Sequence, residues 1–485
     1  MSDDVILNQL DNQLGLVDDG GRRAAVCACA AAGPLNTPGI YARKSDIIDT
    51  FVSGRLVEAG VWIVENTGRP VVLCRTEETT AGAYGTVDDD GVVGTSVITA
   101  HVATQPYDDY EVRVDFVAGG TVGTAGITYM WSLDDGRTPS AVTSLGVANF
   151  ITIADGNVRL DLGAGTIVAG DFVKVRTTGP KPNATQLGES LDVLKETENR
   201  WKICLVDVPC TSGDFGTIDS AATAMLELGD EPRFVTAFRV PDIGETEQAY
   251  KAAFDAEFGS SVSQRIVVGA GAAEYQSPVS QRRLLGRLAA DIVACVLPLP
   301  LGQDPARVRN GPRPATINIK DASRNKKHHD ELLNPGLDGS RATTYTTRRR
   351  RRGIYYKNVR VMSGTGSDFR FWQHLDVMAQ AREIARRELE LFGSEDVFVN
   401  AETGFILEED ATHIEEVINA ALETELGDAV SKVEFQLARN DNILSTFTLH
   451  GALRVTPKGY VKHIEVDVGF YNPALNVVTD DEGEG

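Results

Sequence analysis

Residues 24–38 read AAVCACAAAGPLNTP, an apolar run that ends abruptly in a loop sequence. The two prolines, the glycine and the asparagine of GPLNTP break regular structure there. A helical pattern at residues 56–68 and the buried strand VVLC at 71–74 follow. This order of strand, loop, helix and strand predicts the opening of an α/β layer.

The same alternation returns after residue 182. Apolar strand patterns at 203–208, 233–240 and 265–268 are separated by helical patterns, and a further helix is predicted over 282–297. Strands separated by helices favour a mostly parallel sheet with right-handed crossovers. We therefore assign residues 21–91 and 182–345 to one α/β core, whose second part ends in basic loops.

Residues 92–181 follow a different pattern. Tyr110, Val112, Val114 and Phe116 alternate with charged side chains, and glycine-containing turn signals recur at roughly even intervals. Helix signals are missing from this stretch. It is predicted to be an inserted all-β domain, either a sandwich or a barrel.

The remaining segments complete a multidomain chain of mixed α/β and α+β class. Residues 346–472 are predicted to form an α+β unit with a strand at 353–362, two amphipathic helices and three alternating strands. The first two of those strands are placed at Val433/Phe435/Leu437 and Phe447/Leu449. Residues 1–20 are predicted to be an extended arm, and residues 473–485 an acidic tail.

Charge and composition limit the possible functions. The 485 residues carry a formal net charge of -22, which disfavours nonspecific binding to nucleic acid or anionic membranes. The six cysteines include no C-x-x-C pair and lie mostly in apolar runs, so they are interpreted as buried thiols. Neither an apolar signal core nor an eighteen-residue apolar stretch occurs, so we expect no secretory route and no membrane span.

Two motifs are similar to cofactor or metal sites, but each lacks a required feature. Residues 265–274 (RIVVGAGAAE) lack the third glycine of a dinucleotide fingerprint, so an ordinary strand-to-helix turn is favoured. Residues 326–331 (KKHHDE) lack metal-ligand spacing, so a solvated loop is favoured. No catalytic, cofactor-binding or metal-binding residue is predicted, although catalytic groups can converge from distant positions.

Residues 341–360 carry eight basic side chains and no acidic one. Five of the eight are consecutive: Arg348, Arg349, Arg350, Arg351 and Arg352. Nucleic acid is one candidate partner. The acidic chain itself favours a protein contact instead, because a neighbour can supply the opposite charge. The five arginines are therefore predicted to contact an acidic surface of a neighbouring protein.

Two segments resemble contractile phage tail sheath proteins. The first is residues 24–76, where the apolar strand, the loop at 33–38, the turn at 46–54, the helix and the strand ending CRT follow the family's N-terminal run. The second comprises residues 353–361 (GIYYKNVRV), residues 366–369 (GSDF), two helices and the alternating strands through Phe470. The five-arginine run departs from the family's pattern, and the resemblance makes the tail tube or a neighbouring subunit its expected partner.

The resemblance implies a structural subunit, without enzymatic activity or cofactor, that polymerises helically around a tail tube. Contraction would drive that tube through a target envelope. The implied partners are further copies of the chain, the tube, and baseplate and tail terminator proteins, in a virion assembled in the host cytoplasm. Extended terminal arms would add strands to neighbours' sheets, and the predicted inter-subunit strand consists of Ile464, Val466, Val468 and Phe470. Two alternatives remain: an α/β enzyme with a nucleotide-type cofactor, and a non-contractile tube, cap or baseplate protein.

Overall fold

The computed structural model describes residues 23–466, apart from residues 243, 287, 315–317 and 320–328. The chain opens as the sequence predicts, with alternating strands and helices. Their bounds are β1 (Ala24–Ala28), β2 (Gly39–Tyr41), α1 (Lys44–Phe51), α2 (Arg55–Thr67) and β3 (Val71–Arg75). Gly54 begins α2 at φ 112°, where an added Cβ would lie 3.1 Å from the backbone of Ala30. Only glycine permits this close approach.

An all-β region follows β3. Its strands are β4 (Ala83–Asp88), β5 (Ile98–Ala100), β6 (Glu111–Ala118), β7 (Gly120–Thr121), β8 (Thr128–Ser132), β9 (Thr143–Ser144), β10 (Phe150–Ile153), β11 (Val158–Leu162), β12 (Thr166–Ile167) and β13 (Phe172–Thr178). All of their pairings are antiparallel, in sheets of five, three and two strands around one apolar cluster. Regular structure begins at Ala83, ahead of residue 92, because β4 pairs with β13.

The α/β alternation then resumes. The elements are α3 (Ala184–Glu196), β14 (Ile203–Pro209), α4 (Ser212–Leu228), β15 (Arg233–Ala237), α5 (Glu247–Phe258), β16 (Ile266–Gly269), β17 (Ala273–Gln276), β18 (Arg283–Gly286), α6 (Ala289–Val296), β19 (Asn318–Ile319), β20 (Tyr345–Arg348) and β21 (Arg351–Tyr356). The helix predicted over 282–297 was wrong in about its first two turns, because the helix begins at Ala289. Residues 283–286 instead pair with β17 as a strand.

The core is an α/β/α sandwich. Its six-stranded sheet has the order β16-β15-β14-β1-β3-β2 and is parallel except for the edge strand β2. Alternate strand residues face opposite sides, so Val26 packs with α1, α2 and α6 while Cys27 packs with α3, α4 and α5. This mixed α/β architecture with an additional all-β region confirms the predicted fold class.

The C-terminal unit comprises α7 (Trp372–Leu391), α8 (Glu408–Leu426), β22 (Val430–Leu437), α9 (Ile443–Thr446) and β23 (Gly451–Pro457). β22 and β23 form a two-stranded antiparallel sheet on α7 and α8. The strand predicted at Phe447 and Leu449 was wrong, because a short helix ends at Thr446, residues 447–450 are irregular and the second strand starts only at Gly451. Among the helices of the described ranges, none is long and apolar enough to cross a bilayer.

Ion pairs join the all-β region to the core. The buried Arg55 guanidinium lies 2.7 Å from Asp108 and also contacts Asp109, both at the start of the β6 segment. Arg137 donates to both carboxylate oxygens of the buried Glu274 at 3.0 Å. Because these groups lose much of their hydration, they tie the two parts of the chain in a specific orientation.

Candidate assembly surfaces

The five-arginine run forms the tip of a β-hairpin. β20 and β21 pair antiparallel with Arg348 opposite Arg351, so Arg349 and Arg350 form the two-residue turn. All five arginine side chains, including that of Arg352, are exposed. The strand predicted over 353–362 instead runs over Arg351–Tyr356, and the arginines lie at the tip of a folded hairpin.

A buried carboxylate anchors the base of this hairpin. Asp291 of α6 accepts hydrogen bonds from the hydroxyls of Tyr345 and Tyr356 at 2.8 and 2.6 Å. Arg313 donates to the same carboxylate through two nitrogens at 2.9 and 2.7 Å. Burial alone would raise the pKa of Asp291, but Arg313 and the two hydroxyls outweigh it and hold that pKa below its ordinary value. The hairpin is thus fixed to the core while its tip projects.

The tip has no acidic counterpart within the described ranges of this chain. None of its five guanidinium groups forms a salt bridge there, and the one ring contact places Arg348 5.5 Å from the centroid of Tyr355. Neighbouring guanidinium groups repel one another, and this cost is offset only when an anionic surface faces them. The geometry therefore fits a contact surface for a partner.

The two-stranded sheet of the C-terminal unit has one edge covered by α8. Asn419 donates to the carbonyl of Phe435 at 3.0 Å and accepts from its N–H at 2.7 Å. Glu415 accepts from the N–H of Leu437 at 2.6 Å. Side chains of the helix thus take the place of a neighbouring strand along β22.

The other edge is open. Phe435 lies opposite Leu453, and its backbone groups bond outward to Asn419, so this is a non-hydrogen-bonded pair of the antiparallel ladder. The backbone groups of Gly451, Leu453 and Val455 consequently point away from β22. In the parts of the chain that the structure describes, no strand pairs with this edge. Such an edge is a template for an added strand.

The predicted inter-subunit strand is only partly within the described residues. Tyr460 donates to the carbonyl of Gly302 at 2.6 Å, and Lys462 contacts Asp304, so the segment is anchored on the core just before that strand. Beyond the anchor, Ile464 and Val466 belong to no strand and are 74% and 71% exposed. Val468 and Phe470 lie outside the described residues, and the strand stays a prediction.

The glycine-rich turn at 265–274 has a structural role. Gly271 donates to the hydroxyl of the buried Tyr250 at 2.9 Å, and the chain continues into the strand β17. The expected strand-to-helix turn was therefore wrong, because residues 273–276 pair with β18 and β19. Glu274, which stands where the fingerprint needs a glycine, is held by Arg137.

The motif at residues 326–331 also differs from expectation. His329, Asp330 and Glu331 are buried, which contradicts the predicted solvated loop for this part of residues 326–331. Asp330 accepts from the N–H of Thr347 at 2.8 Å, and Glu331 accepts from backbone N–H groups of the following turn. These bonds secure the segment that leads into β20. Within the described ranges no group of three or more potential ligands could hold a metal ion.

Sequence reasoning missed Asn419 and Glu415 as edge caps and Asp291 as the hairpin anchor. The caps carry no local signal, because their partners lie in a strand that follows the helix. Asp291 sits in an otherwise apolar run, and a charged residue there could have indicated a buried partner such as Arg313. The six cysteines are buried free thiols, and burial raises the pKa of Cys27 to about 11.

The architecture defines a class: an α/β/α core carrying an antiparallel β region and a C-terminal α+β unit with an open two-stranded sheet. By sequence, the chain belongs to the DUF2586 family, whose N-terminal domain matches residues 2–360. No curated protein matches the sequence.

Three solved structures are reported as similar to this chain. A chain of the anti-feeding prophage baseplate covers 97% of this chain and 100% of its own length, at 8% identity and a TM-score of 0.50, which shows a shared fold. The sheath tail protein of Listeria innocua matches at 12% identity, with 90% and 94% of the two chains covered and a TM-score of 0.43. That of Desulfitobacterium hafniense matches at 10% identity, with 93% and 99% covered and a TM-score of 0.42.

Proposed function

We propose that this protein is the sheath subunit of a contractile tail or injection particle. In this proposal many copies stack helically around an inner tube, and a collective change in their packing drives the tube through a target envelope. The chain works as a structural element and not as an enzyme. Its partners are further copies of itself, the tube protein, and the baseplate and tail terminator proteins.

The open edge of β23 is the observation that carries this proposal. A two-stranded sheet is marginal by itself, and here one side is capped by Asn419 while the other offers unpaired backbone groups. An arm from another copy would complete it by strand addition. Donor and acceptor lie at different places on one chain, so the contact is heterologous and generates a helical polymer when it does not close.

The anchored C-terminal segment supports the same assembly. Tyr460 and Lys462 hold the chain on the core, and the apolar side chains of Ile464 and Val466 that follow are largely exposed on their own subunit. Ile464 and Val466 then act as the first residues of the donated strand, with Val468 and Phe470 continuing it. The shared fold with a baseplate chain of the anti-feeding prophage is consistent with a place in such a particle.

Negative-stain electron microscopy of the purified protein tests this function. The full chain should form long striated tubes, alone or with its tube protein, and a variant that ends after residue 466 should stay a folded, dispersed subunit. The cut leaves the anchor at Lys462 in place, so loss of assembly reports on the removed arm. Discrete closed particles from the full chain would contradict the sheath proposal and favour a cap or baseplate role.

A further inference from the structure

The outward face of α8 carries a line of carboxylates. Glu409, Glu416 and Glu423 are spaced seven residues apart, so they lie along one side of the helix over about 21 Å. The buried residues of the helix, such as Ile418, occupy the opposite side. We call these three glutamates the acidic stripe.

The acidic stripe has no basic counterpart in the parts of the chain that the structure describes. All three side chains are exposed, and none forms an ion pair or a side-chain hydrogen bond with a described residue. Other glutamates of the same helix behave differently, because Glu408 and Glu415 bind Arg439 while Glu425 binds Arg387. The flanking carboxylates of the helix are therefore paired, whereas those of the acidic stripe have no ion-pair partner among the described residues.

The arginine hairpin (residues 345–356) and the acidic stripe are complementary in charge. One is a narrow projection with five exposed cations, and the other is an exposed line of three carboxylates. Arg348 borders a groove that also reaches Leu426 and Asp428 at the end of α8, so the hairpin leaves the core beside that end of the helix. The line of carboxylates runs from there toward Glu409.

We propose that the arginine hairpin of one copy binds the acidic stripe of a second copy. This inference rests on the proposed polymer and names the partner of its basic surface. A second copy is favoured over nucleic acid because the chain carries a net charge of -22, which opposes the approach of a polyanion. It is favoured over the tube because both halves of the contact are visible on this chain.

The contact is heterologous, so each copy offers one hairpin and one stripe to different neighbours. Screening limits exposed charges to a range of about 8 Å at physiological salt, so the hairpin acts only on a subunit already brought close by other contacts. Repetition along a polymer multiplies a weak individual pair. Assembly should therefore weaken as salt rises.

A charge-reversal pair tests this contact. The hairpin variant is R349E/R350E/R351E, and the stripe variant is E409R/E416R/E423R. Each variant alone presents like charges to its own copies and should lose assembly. A mixture of the two should regain it, because the acidic hairpin of one variant meets the basic stripe of the other. The matched control is E196R/E198R/E227R, which makes the same charge change at exposed glutamates elsewhere and should assemble normally.

Cross-linking gives a readout that does not depend on tubes. Arg350→Cys and Glu416→Cys copies are mixed and treated with a short bismaleimide, and the six native thiols contribute little background because they are buried. A dimer band that requires both variants, and that is lost with Glu196→Cys in place of Glu416→Cys, supports the contact. That band without tubes would retain this inference and contradict the sheath proposal.

Three results would overturn the inference. The first is normal tubes without the 350–416 cross-link, which would leave the sheath proposal intact. The second is a cross-link from position 350 to the tube protein alone. The third is salt-dependent duplex DNA binding by the wild type that is abolished in the hairpin variant while assembly is unchanged.

Discussion

Tyr356 donates its hydroxyl to the carboxylate of Asp291 at 2.6 Å, which joins the strand behind the arginine tip to helix α6 of the core. Arg313 binds the same carboxylate and adds a charge-assisted pair in a buried setting. These bonds fix the strand that carries the projecting arginines to the core. A contact surface held in one orientation loses less entropy on binding than a mobile loop.

Replacing Asp291 by asparagine should destabilise the subunit by about 3–5 kcal/mol, because it leaves the buried Arg313 without its charge partner. Tyr356→Phe keeps the ion pair and removes one hydrogen bond, so it should cost only about 1 kcal/mol. Urea unfolding followed by circular dichroism measures both. Equal effects of the two substitutions would contradict a central role for the ion pair.

The same carboxylate should contribute to acid sensitivity. Because the folded-state pKa of Asp291 is lowered, its stabilising contribution is present above the unfolded-state pKa of about 4 and is lost as pH falls through the lower folded value. Asp291→Asn should flatten that part of the stability profile. A wild-type profile that is unchanged by the substitution below pH 4 would argue against the shift.

Glu58 should give the opposite dependence of stability on pH. Burial and the nearby Asp108 carboxylate raise the pKa of Glu58 to about 7, while Ser277 donates to it at 2.9 Å. Since its unfolded pKa is about 4.3, the folded state holds the proton more tightly, and stability falls as pH rises from about 4.3 to 7. Glu58→Gln should remove this loss. Thermal unfolding of both proteins at pH 5 and pH 8 measures this loss. If Glu58→Gln leaves the difference in melting temperature between the two pH values unchanged, the raised pKa of Glu58 is refuted.

The all-β region should be removable once its buried partners are considered. Thr80 and Lys181 exchange backbone hydrogen bonds at 3.0 Å, so the chain enters and leaves the region side by side. Deleting residues 82–179 with a short glycine linker also removes Asp108, which pairs with Arg55, and Arg137, which donates to Glu274. The deletion combined with Arg55→Leu and Glu274→Gln should fold more stably than the deletion alone, as thermal unfolding would show. Failure of both to express in soluble form would mean that the region is part of the core.

A proline scan can separate the two sides of β23. The N–H of Val455 points to the open edge, so Val455→Pro should keep the β22–β23 ladder and block an added strand. Arg454→Pro removes a donor inside the ladder and should destabilise the unit by about 1–3 kcal/mol. Assembly by light scattering and unfolding by urea are compared for the two variants. Normal polymerisation of Val455→Pro would exclude this edge as the acceptor.

Local sequence patterns predicted most strands and helices of the α/β core well, and they predicted the pairing of distant segments poorly. The apolar run at Ala24–Ala28 determines a buried strand, and Gly54 permits the close start of helix α2. Both effects depend only on neighbouring residues. The strand at Arg283–Gly286 was mistaken for helix because its pairing partner β17, and not its own periodicity, decides its conformation. Pairing between distant segments is invisible to a local pattern.

The candidate surfaces show the same division. Five adjacent arginines are evident in the sequence, but their position on a hairpin depends on Asp291, far along the chain. The spacing of Glu409 and Glu416 could have indicated one helix face, whereas the pairing of Glu415 with Arg439 required the fold. Residues whose role depends on a distant partner were therefore the ones missed.

Helical reconstruction by cryo-electron microscopy of tubes formed by the full chain tests the central claim most directly. The sheath account predicts an additional strand, contributed by another subunit, hydrogen-bonded along Gly451–Pro457, with the edge of Val430–Leu437 still covered by Asn419. Density for residues 464–470 of a neighbouring subunit along that open edge would identify the donated strand. Tubes or closed rings in which the edge at Gly451–Pro457 stays bare would contradict assembly by strand donation.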